Sequence, residues 1–246
     1  MDKGNVFRYP DTNSSRAEID YINAKFYGLK IGIIGIGGTG SYILDHVAKT
    51  AVEEIHIYDG DVYQVHNAFR APGATAGEEF GQSGMAKKVD YFFAMYDKIH
   101  MGIKPHAVNI DEQNIHELKA LDYVFVSVDK TAVRRFICET LAGFGVPFID
   151  CGMGIEINAG SLIGTLRVTT STKDRSDHLD GRIGTVKDRD NIYASNIQVS
   201  EMNCLNAVLA VIKWKKLVGF YQELKKEHNS LFFITTNKLL NEDFSA

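Results

Sequence analysis

Residues Lys30–Ser41 read Lys-Ile-Gly-Ile-Ile-Gly-Ile-Gly-Gly-Thr-Gly-Ser, small and β-branched residues that end in glycines and pass into the helical pattern Tyr42-Ile43-Leu44 and Val47-Ala48. This stretch restricts the chain to a buried strand, a tight turn and a helix N-terminus. Glycines let the backbone turn sharply and approach phosphate oxygens, and free N–H groups with the positive end of the helix dipole attract anions. Gly35, Gly37, Gly38 and Gly40 are therefore candidate nucleotide-binding residues. A second strand, Glu54–Tyr58, ends in Asp59 about twenty residues beyond the loop, where a carboxylate can accept hydrogen bonds from ribose hydroxyls. The pattern specifies a nucleotide, not which one.

Strand and helix signals alternate up to residue 150, which predicts an α/β fold, a Rossmann-like doubly wound and largely parallel sheet. Residues 1–14 are polar and turn-rich and are expected to be a flexible N-terminal segment. The remainder, 15–246, is expected to be one domain. A helix is predicted over 15–26, capped by Ser14 or Ser15, with Ile19, Ile22 and Phe26 on its apolar side. Residues 62–83 form a long connection, and helical periodicity returns from Met85 to Ile99. Short elements follow at Lys104–Ile110 and Gln113–Leu118, then the buried strand Tyr123–Val128 ending in Asp129 and a helix over Thr131–Phe144. Pro147–Asp150, Ile155–Asn158 and Leu162–Thr169 read as strands with an antiparallel extension. Residues 170–196 lose periodicity and are expected to be a mobile crossover loop. A C-terminal helix starts at Gln198, with Met202, Leu205, Val208, Leu209, Ile212 and Leu217 along its apolar side, and Leu231–Thr235 reads as a last strand.

With 246 residues and a net charge of −4, the chain has no general attraction to nucleic acid or to an anionic membrane surface. No apolar run approaches about eighteen residues and the N-terminus lacks a signal-peptide core, so a cytoplasmic protein is expected. Its three cysteines, Cys138, Cys151 and Cys204, lie far apart in hydrophobic segments, as buried thiols of a reducing compartment do. No Cys-x-x-Cys occurs. No zinc site of that kind is expected.

No lysine follows the glycines in the manner of a P-loop. A lone Gly-x-Gly-x-x-Gly is compatible with a dehydrogenase, but it is accompanied by Asp59-Gly-Asp61, Asn67, Arg70, the Lys87-Lys88 pair and Asp129. Strands of a doubly wound sheet present their C-terminal ends to the ligand, which places Asp59 and Asp129 in one crevice. Asp59 can take the ribose of ATP, Asp129 can hold Mg²⁺ against the phosphates, and Arg70 and Lys88 supply positive charge. Such a set suits adenylyl transfer, in which catalysis is alignment and charge neutralisation. Each residue taken singly has an ordinary alternative as a cap, a turn residue or a solvated lysine.

The marks Gly35-Ile-Gly-Gly-Thr-Gly40, Asp59-Gly-Asp61, Asn67-Ala-Phe-Arg70, Lys88-Val-Asp90 and Asp122–Asp129 resemble the ThiF/MoeB/HesA family, which includes the adenylation domains of ubiquitin-activating enzymes. The similarity covers about residues 14–170 and, more loosely, the helix from Gln198 to Tyr221. The resemblance implies use of MgATP to adenylate the C-terminal glycine carboxylate of a ubiquitin-like or sulfur-carrier protein, usually within a homodimer or a pseudo-dimer. It makes Asp59 the ribose ligand, Asn67, Arg70 and Lys88 the phosphate contacts, and Asp129 the magnesium ligand. Asp61 and Lys87 flank these positions. Arg16 resembles the arginine that reaches into the partner subunit's ATP site.

The zinc-binding cysteine pairs of many members are missing, and 170–196 carries no cysteine. Adenylation without a thioester on this chain is the resulting expectation. Activation of an RNA or small-molecule carboxylate, and a non-catalytic nucleotide-binding scaffold, are the alternative readings.

Overall fold

In the computed structural model, residues 5–80, 86–183 and 197–245 are described. One sheet of eight strands has the order β3-β2-β1-β4-β5-β6-β7-β8. Its strands are β1 (Lys30–Ile34), β2 (Glu54–Tyr58), β3 (Ile103–His106), β4 (Tyr123–Val126), β5 (Phe148–Asn158), β6 (Ser161–Ser171), β7 (Asn229–Phe233) and β8 (Lys238–Glu242). Neighbours from β3 through β5 pair in parallel, and β5 to β8 pair antiparallel. This is the expected largely parallel sheet with an antiparallel extension. The strand β8 is an addition that the sequence pattern did not indicate.

The helices are α1 (Thr12–Arg16), α2 (Asp20–Asn23), α3 (Gly38–Val47), α4 (Val65–Ala68), α5 (Lys88–Tyr96), α6 (Thr131–Phe144), α7 (Leu179–Arg182) and α8 (Ser200–Leu217). They leave two apolar layers on the sheet. One holds Ile31, Ile33, Ile43, Leu44, Phe92 and Trp214, and the other holds Val124, Val126, Ile137, Leu141 and Phe148. β1 is buried along almost its whole length, which explains its unbroken run of isoleucines and a glycine. Trp214 is fully buried against Phe26 at 5.1 Å between ring centroids, and burying each such side chain contributes about 1.5–3 kcal/mol.

The expected helix over 15–26 is broken. Asp11, rather than Ser14 or Ser15, caps α1 by accepting from the N–H groups of Asn13 and Ser14, both at 3.0 Å. Glu18 then takes φ +57°, which no right-handed helix can contain, and α2 and a short 3₁₀ turn at Ala24–Phe26 follow. Of the expected apolar side only Phe26 is fully buried.

Within the segment expected to be flexible, residues 5–14 make specific contacts. Phe7 bridges to His100 and packs edge-on against its ring, while Arg8 donates to Asp97 at 2.6 Å. In α8 the buried side is Asn203, Asn206, Ala207, Ala210, Val211 and Trp214, one position away from the expected apolar stripe, and Ile212 is exposed. α8 packs on α3. Within the expected crossover loop, Thr170 and Ser171 belong to β6, and Arg182 of α7 pairs with Glu242 and Asp243. Its remainder, 184–196, and the expected helix start at Met85 lie outside the described residues. No helix among the described residues is long and apolar enough to cross a membrane.

Candidate nucleotide-binding site

β1 ends at Ile34 and the chain turns at Gly35, whose φ of +85° is open to glycine and strained for other residues. A Cβ at Gly35 would lie 2.8 Å from the carbonyl oxygen of Ser127, and one at Gly40 would lie 1.9 Å from the carbonyl oxygen of Gly35. These two glycines let the turn fold back on the start of α3. Gly37 is different, because a Cβ there would meet nothing within 4 Å among the described residues. Its side faces the cleft. Gly37 caps α3 with no side-chain hydrogen bond, so the first N–H groups of that helix are aimed at the open space.

The cleft at the C-terminal ends of β1, β2 and β4 is lined by Gly35, Gly37, Gly38, Asp59, Asp61, Arg70, Lys88 and Asp129 together. Gly40, Asn67, Lys87 and Arg16 do not line it. Gly40 is buried behind the turn. Asn67 accepts from the Gln64 N–H at 2.8 Å in the capping box of α4, and its amide nitrogen is buried with no hydrogen-bond partner among the described residues. Lys87 donates to the Gly60 carbonyl at 2.6 Å and so braces the turn after β2. Arg16 is an exposed residue of α1.

Asp59 is 7 % exposed and accepts from the N–H of Ile36 and of Asp61, each at 2.9 Å. Lys88, the first residue of α5, sets its ammonium 3.3 Å from Asp59 Oδ1 and 2.8 Å from Asp61 Oδ2. Its hydrogen bond is the main cause holding the Asp61 carboxyl below its usual value. Burial pulls the Arg70 guanidinium down from its ordinary range and the charge of Asp129 opposes that shift, so these two groups feel one another across the cleft. An arginine remains charged under either influence. Tyr58, pushed up to about 12 by burial, stays a phenol, and its ring stacks on His106 at 4.3 Å.

Several site residues carry no sequence motif. Ser127 donates to the Gly35 carbonyl at 2.7 Å and locks the glycine turn to the end of β4. Asn203 of α8 accepts from the Thr39 hydroxyl at 3.0 Å and occupies the space where Gly38 has no side chain. A buried asparagine inside an apolar helix was the one available signal for it. Arg134 lines the cleft beside Asp129, held from behind by the fully buried Asp150 with Nε and Oδ1 3.4 Å apart, and Arg167 donates to the other Asp150 oxygen at 2.6 Å.

Cys151 lines the cleft but burial pushes its thiol well up, and the same cause raises Cys204, which lies on α8 outside the cleft lining. Neither has the environment of an activated thiolate. No group of three or more His, Cys, Asp or Glu side chains able to hold a metal exists among the described residues. Mg²⁺ with a nucleotide needs no such cage, because it binds through one or two carboxylates plus phosphate oxygens and water.

Residues 23–242 match the sequence profile of the ThiF family. Among curated proteins, the SUMO-activating enzyme subunit uba-2 of Caenorhabditis elegans is 25% identical over 125 residues, which is 51% of this chain and 21% of that protein. The chain thus aligns to about a fifth of that relative's length. Among solved structures, E. coli MccB with ATP superimposes with a TM-score of 0.72 at 17% identity, covering 96% of this chain and 73% of MccB. PaaA superimposes with a TM-score of 0.70 at 13% identity, covering 95% of this chain and 69% of PaaA. At these identities the structures speak to the fold alone.

Proposed function

This chain belongs to the ThiF family, and from that premise we propose that it is an ATP-dependent adenylyltransferase that activates the C-terminal carboxylate of a ubiquitin-like or sulfur-carrier protein. The carrying observation is the convergence of four charge-handling features on one cleft: the uncapped N-terminus of α3, Arg70, Lys88 and Asp129. A polyanion with a divalent cation is what that combination accommodates. The SUMO-activating subunit and the MccB complex with ATP support the same reading by analogy.

In this reading the phosphates lie over Gly37, where the absence of a side chain lets the backbone approach them, and over the N–H groups that open α3. Asp59, held in place by the Ile36 and Asp61 N–H groups, takes the ribose hydroxyls. Lys88 and Arg70 neutralise the triphosphate. Asp129, with the phosphate oxygens, would hold Mg²⁺, which supplies charge stabilisation to the departing pyrophosphate. A substrate carboxylate oxygen then attacks the α-phosphorus, the bond from that phosphorus to the bridging oxygen breaks, and pyrophosphate leaves with the electron pair. No side chain has to move a proton in that step. Catalysis is alignment and electrostatics.

Arg16 is exposed and stands outside this chain's own cleft lining, consistent with service in the cleft of a second copy. The raised thiols of Cys151 and Cys204 favour release of the adenylate to an acceptor elsewhere over a thioester on this chain. Incubation with MgATP and the small proteins encoded beside its gene, followed by mass spectrometry, tests the proposal. One AMP joined to a C-terminal carboxylate is expected. ATP binding with every candidate unchanged in mass would instead identify a nucleotide-binding scaffold.

A further inference from the structure

From β1 the chain winds outward through β2 and β3, then returns to lay β4 against the other side of β1. The cleft lies at that reversal, where two helix starts meet it. α3 follows β1 and α6 follows β4. Ile43 and Leu44 of α3 belong to one apolar layer and Ile137 and Leu141 of α6 to the other, so the two helices arrive from opposite faces of the sheet. Lys130 caps α6 with no side-chain hydrogen bond, as Gly37 does α3. The nucleotide phosphates account for the α3 end alone.

Arg134 of α6 lines the cleft although it is only 8 % exposed. Its Nε lies 3.4 Å from Asp150 Oδ1, yet neither buried atom makes a hydrogen bond among the described residues. Arg167 donates to the other Asp150 oxygen at 2.6 Å, so one carboxylate is shared by two guanidinium groups. After burial, these three charges are what the Cys151 thiol feels, and Cys151 is itself part of the cleft wall. Within the trio one positive charge has no counter-charge. A buried charge of that kind is destabilising, and so is a buried donor without an acceptor. An anion in the cleft relieves both.

We propose that Arg134 is the residue that receives the carboxylate to be adenylated, an assignment that rests on the adenylation reading and deepens it. Across the sheet, Asp59 follows β2, the glycine turn follows β1, Asp129 follows β4, and Asp150 with Cys151 lies in β5. Ribose, phosphates and magnesium take the first three places in that reading. The place at β5 is left for the attacking group, which approaches the α-phosphorus from the side opposite to the departing pyrophosphate. A carboxylate is repelled by the triphosphate. A fixed guanidinium beside it removes that repulsion, and its planar fork orients the carboxylate. The balance of the step is unchanged: a carboxylate oxygen bonds to the α-phosphorus, pyrophosphate leaves with the electron pair, and Arg134 donates hydrogen bonds without transferring a proton.

ATP–pyrophosphate exchange tests the assignment, with a synthetic peptide ending in Gly-Gly and a free carboxylate as the probe. Arg134→Gln leaves Asp150 paired one-to-one with Arg167, so the variant is expected to fold. Its KM for the peptide is expected to rise about tenfold or more, and its KM for ATP to stay within about threefold of the unaltered protein. Calorimetry with the same peptide as its C-terminal amide adds a readout that a structural role would not move. The amide is expected to bind the unaltered protein about tenfold more weakly than the acid, and Arg134→Gln to bind the two alike. Arg134→Lys keeps the charge without the fork and is expected to fall between; it carries the comparison if the glutamine variant fails to fold. An unchanged KM for the peptide, or a rise of the same size in the KM for ATP, overturns the assignment and leaves adenylation standing. No exchange by the unaltered protein with any peptide or protein carboxylate overturns the adenylation reading itself.

Discussion

Lys88 Nζ lies 2.8 Å from Asp61 Oδ2, joining a lysine side chain only 11 % exposed to an aspartate 68 % exposed at the mouth of the cleft. Asp59 stands behind the lysine at 3.3 Å, so the ammonium is held in place before any nucleotide arrives. Lys88→Met removes the phosphate-facing charge and is expected to lower ATP–pyrophosphate exchange by about 100-fold or more. Asp61→Asn leaves Asp59 as the partner of Lys88. It is expected to change exchange less than about fivefold and stability by under about 1 kcal/mol, because the Asp61 end of the pair stands in solvent and Asp59 still neutralises the lysine. Lys88 holds the Asp61 carboxyl below 3.8, so the pair is fully present above that value and dissolves as pH falls through the depressed one. Denaturation of both proteins across pH 3–8 checks that the difference between them is flat above about pH 5.

The glycines of the turn separate into two kinds. Gly40→Ala forces a Cβ to 1.9 Å from a backbone oxygen and is expected to cost about 1–3 kcal/mol of stability. Gly37→Ala meets nothing among the described residues, so its stability is expected to stay within about 0.5 kcal/mol of the unaltered protein. Its ATP affinity is nevertheless expected to fall about tenfold or more, because the new methyl occupies phosphate space. Calorimetry of ATP binding beside thermal denaturation distinguishes the two.

Buried His100 carries a pH dependence of folding. Its Nδ1 accepts from the Gly102 N–H at 3.0 Å and its Nε2 donates to the Val52 carbonyl at 3.1 Å, which fixes one neutral tautomer. Burial depresses it from 6.5 to about 4. The unfolded chain therefore binds the proton first, and this stability is present above pH 6.5 and lost as pH falls toward 4. The loss attributable to His100 is roughly 3 kcal/mol. His100→Gln is expected to remove that part of the slope, measured as the difference between the two proteins' denaturation midpoints from pH 7 to pH 4.

Asp150 is fully buried between Arg134 and Arg167. Asp150→Ala leaves two guanidinium groups without their shared anion and is expected to destabilise by about 3–5 kcal/mol. Urea denaturation measures it.

Local signals and tertiary ones were unequally legible in the sequence. The helix Thr131–Phe144 emerged with its expected bounds because its stop is local: Gly145 takes φ +69° as the terminal residue beyond it. Asp59, Lys88 and Asp129 were legible because strand ends and helix starts of this fold face the ligand. The break at Glu18 was not, since Ile19, Ile22 and Phe26 keep helical spacing across it. The buried face of α8 was hidden for a related reason. Asn203 and Asn206 are polar in composition, and only their partners Thr39 and the Gly152 carbonyl on distant segments make them interior residues. Arg134 and Ser127 likewise owe their places in the site to packing between elements.

ATP–pyrophosphate exchange in the presence of a carboxylate-terminated carrier protein, compared between the unaltered chain and Asp129→Ala, addresses adenylyl transfer most directly. Labelled pyrophosphate is expected to enter ATP only when the carrier is present, and the variant is expected to lose at least about 100-fold of that rate. Full exchange in Asp129→Ala, or ATP binding with no exchange for any carrier, would contradict adenylyl transfer at this cleft.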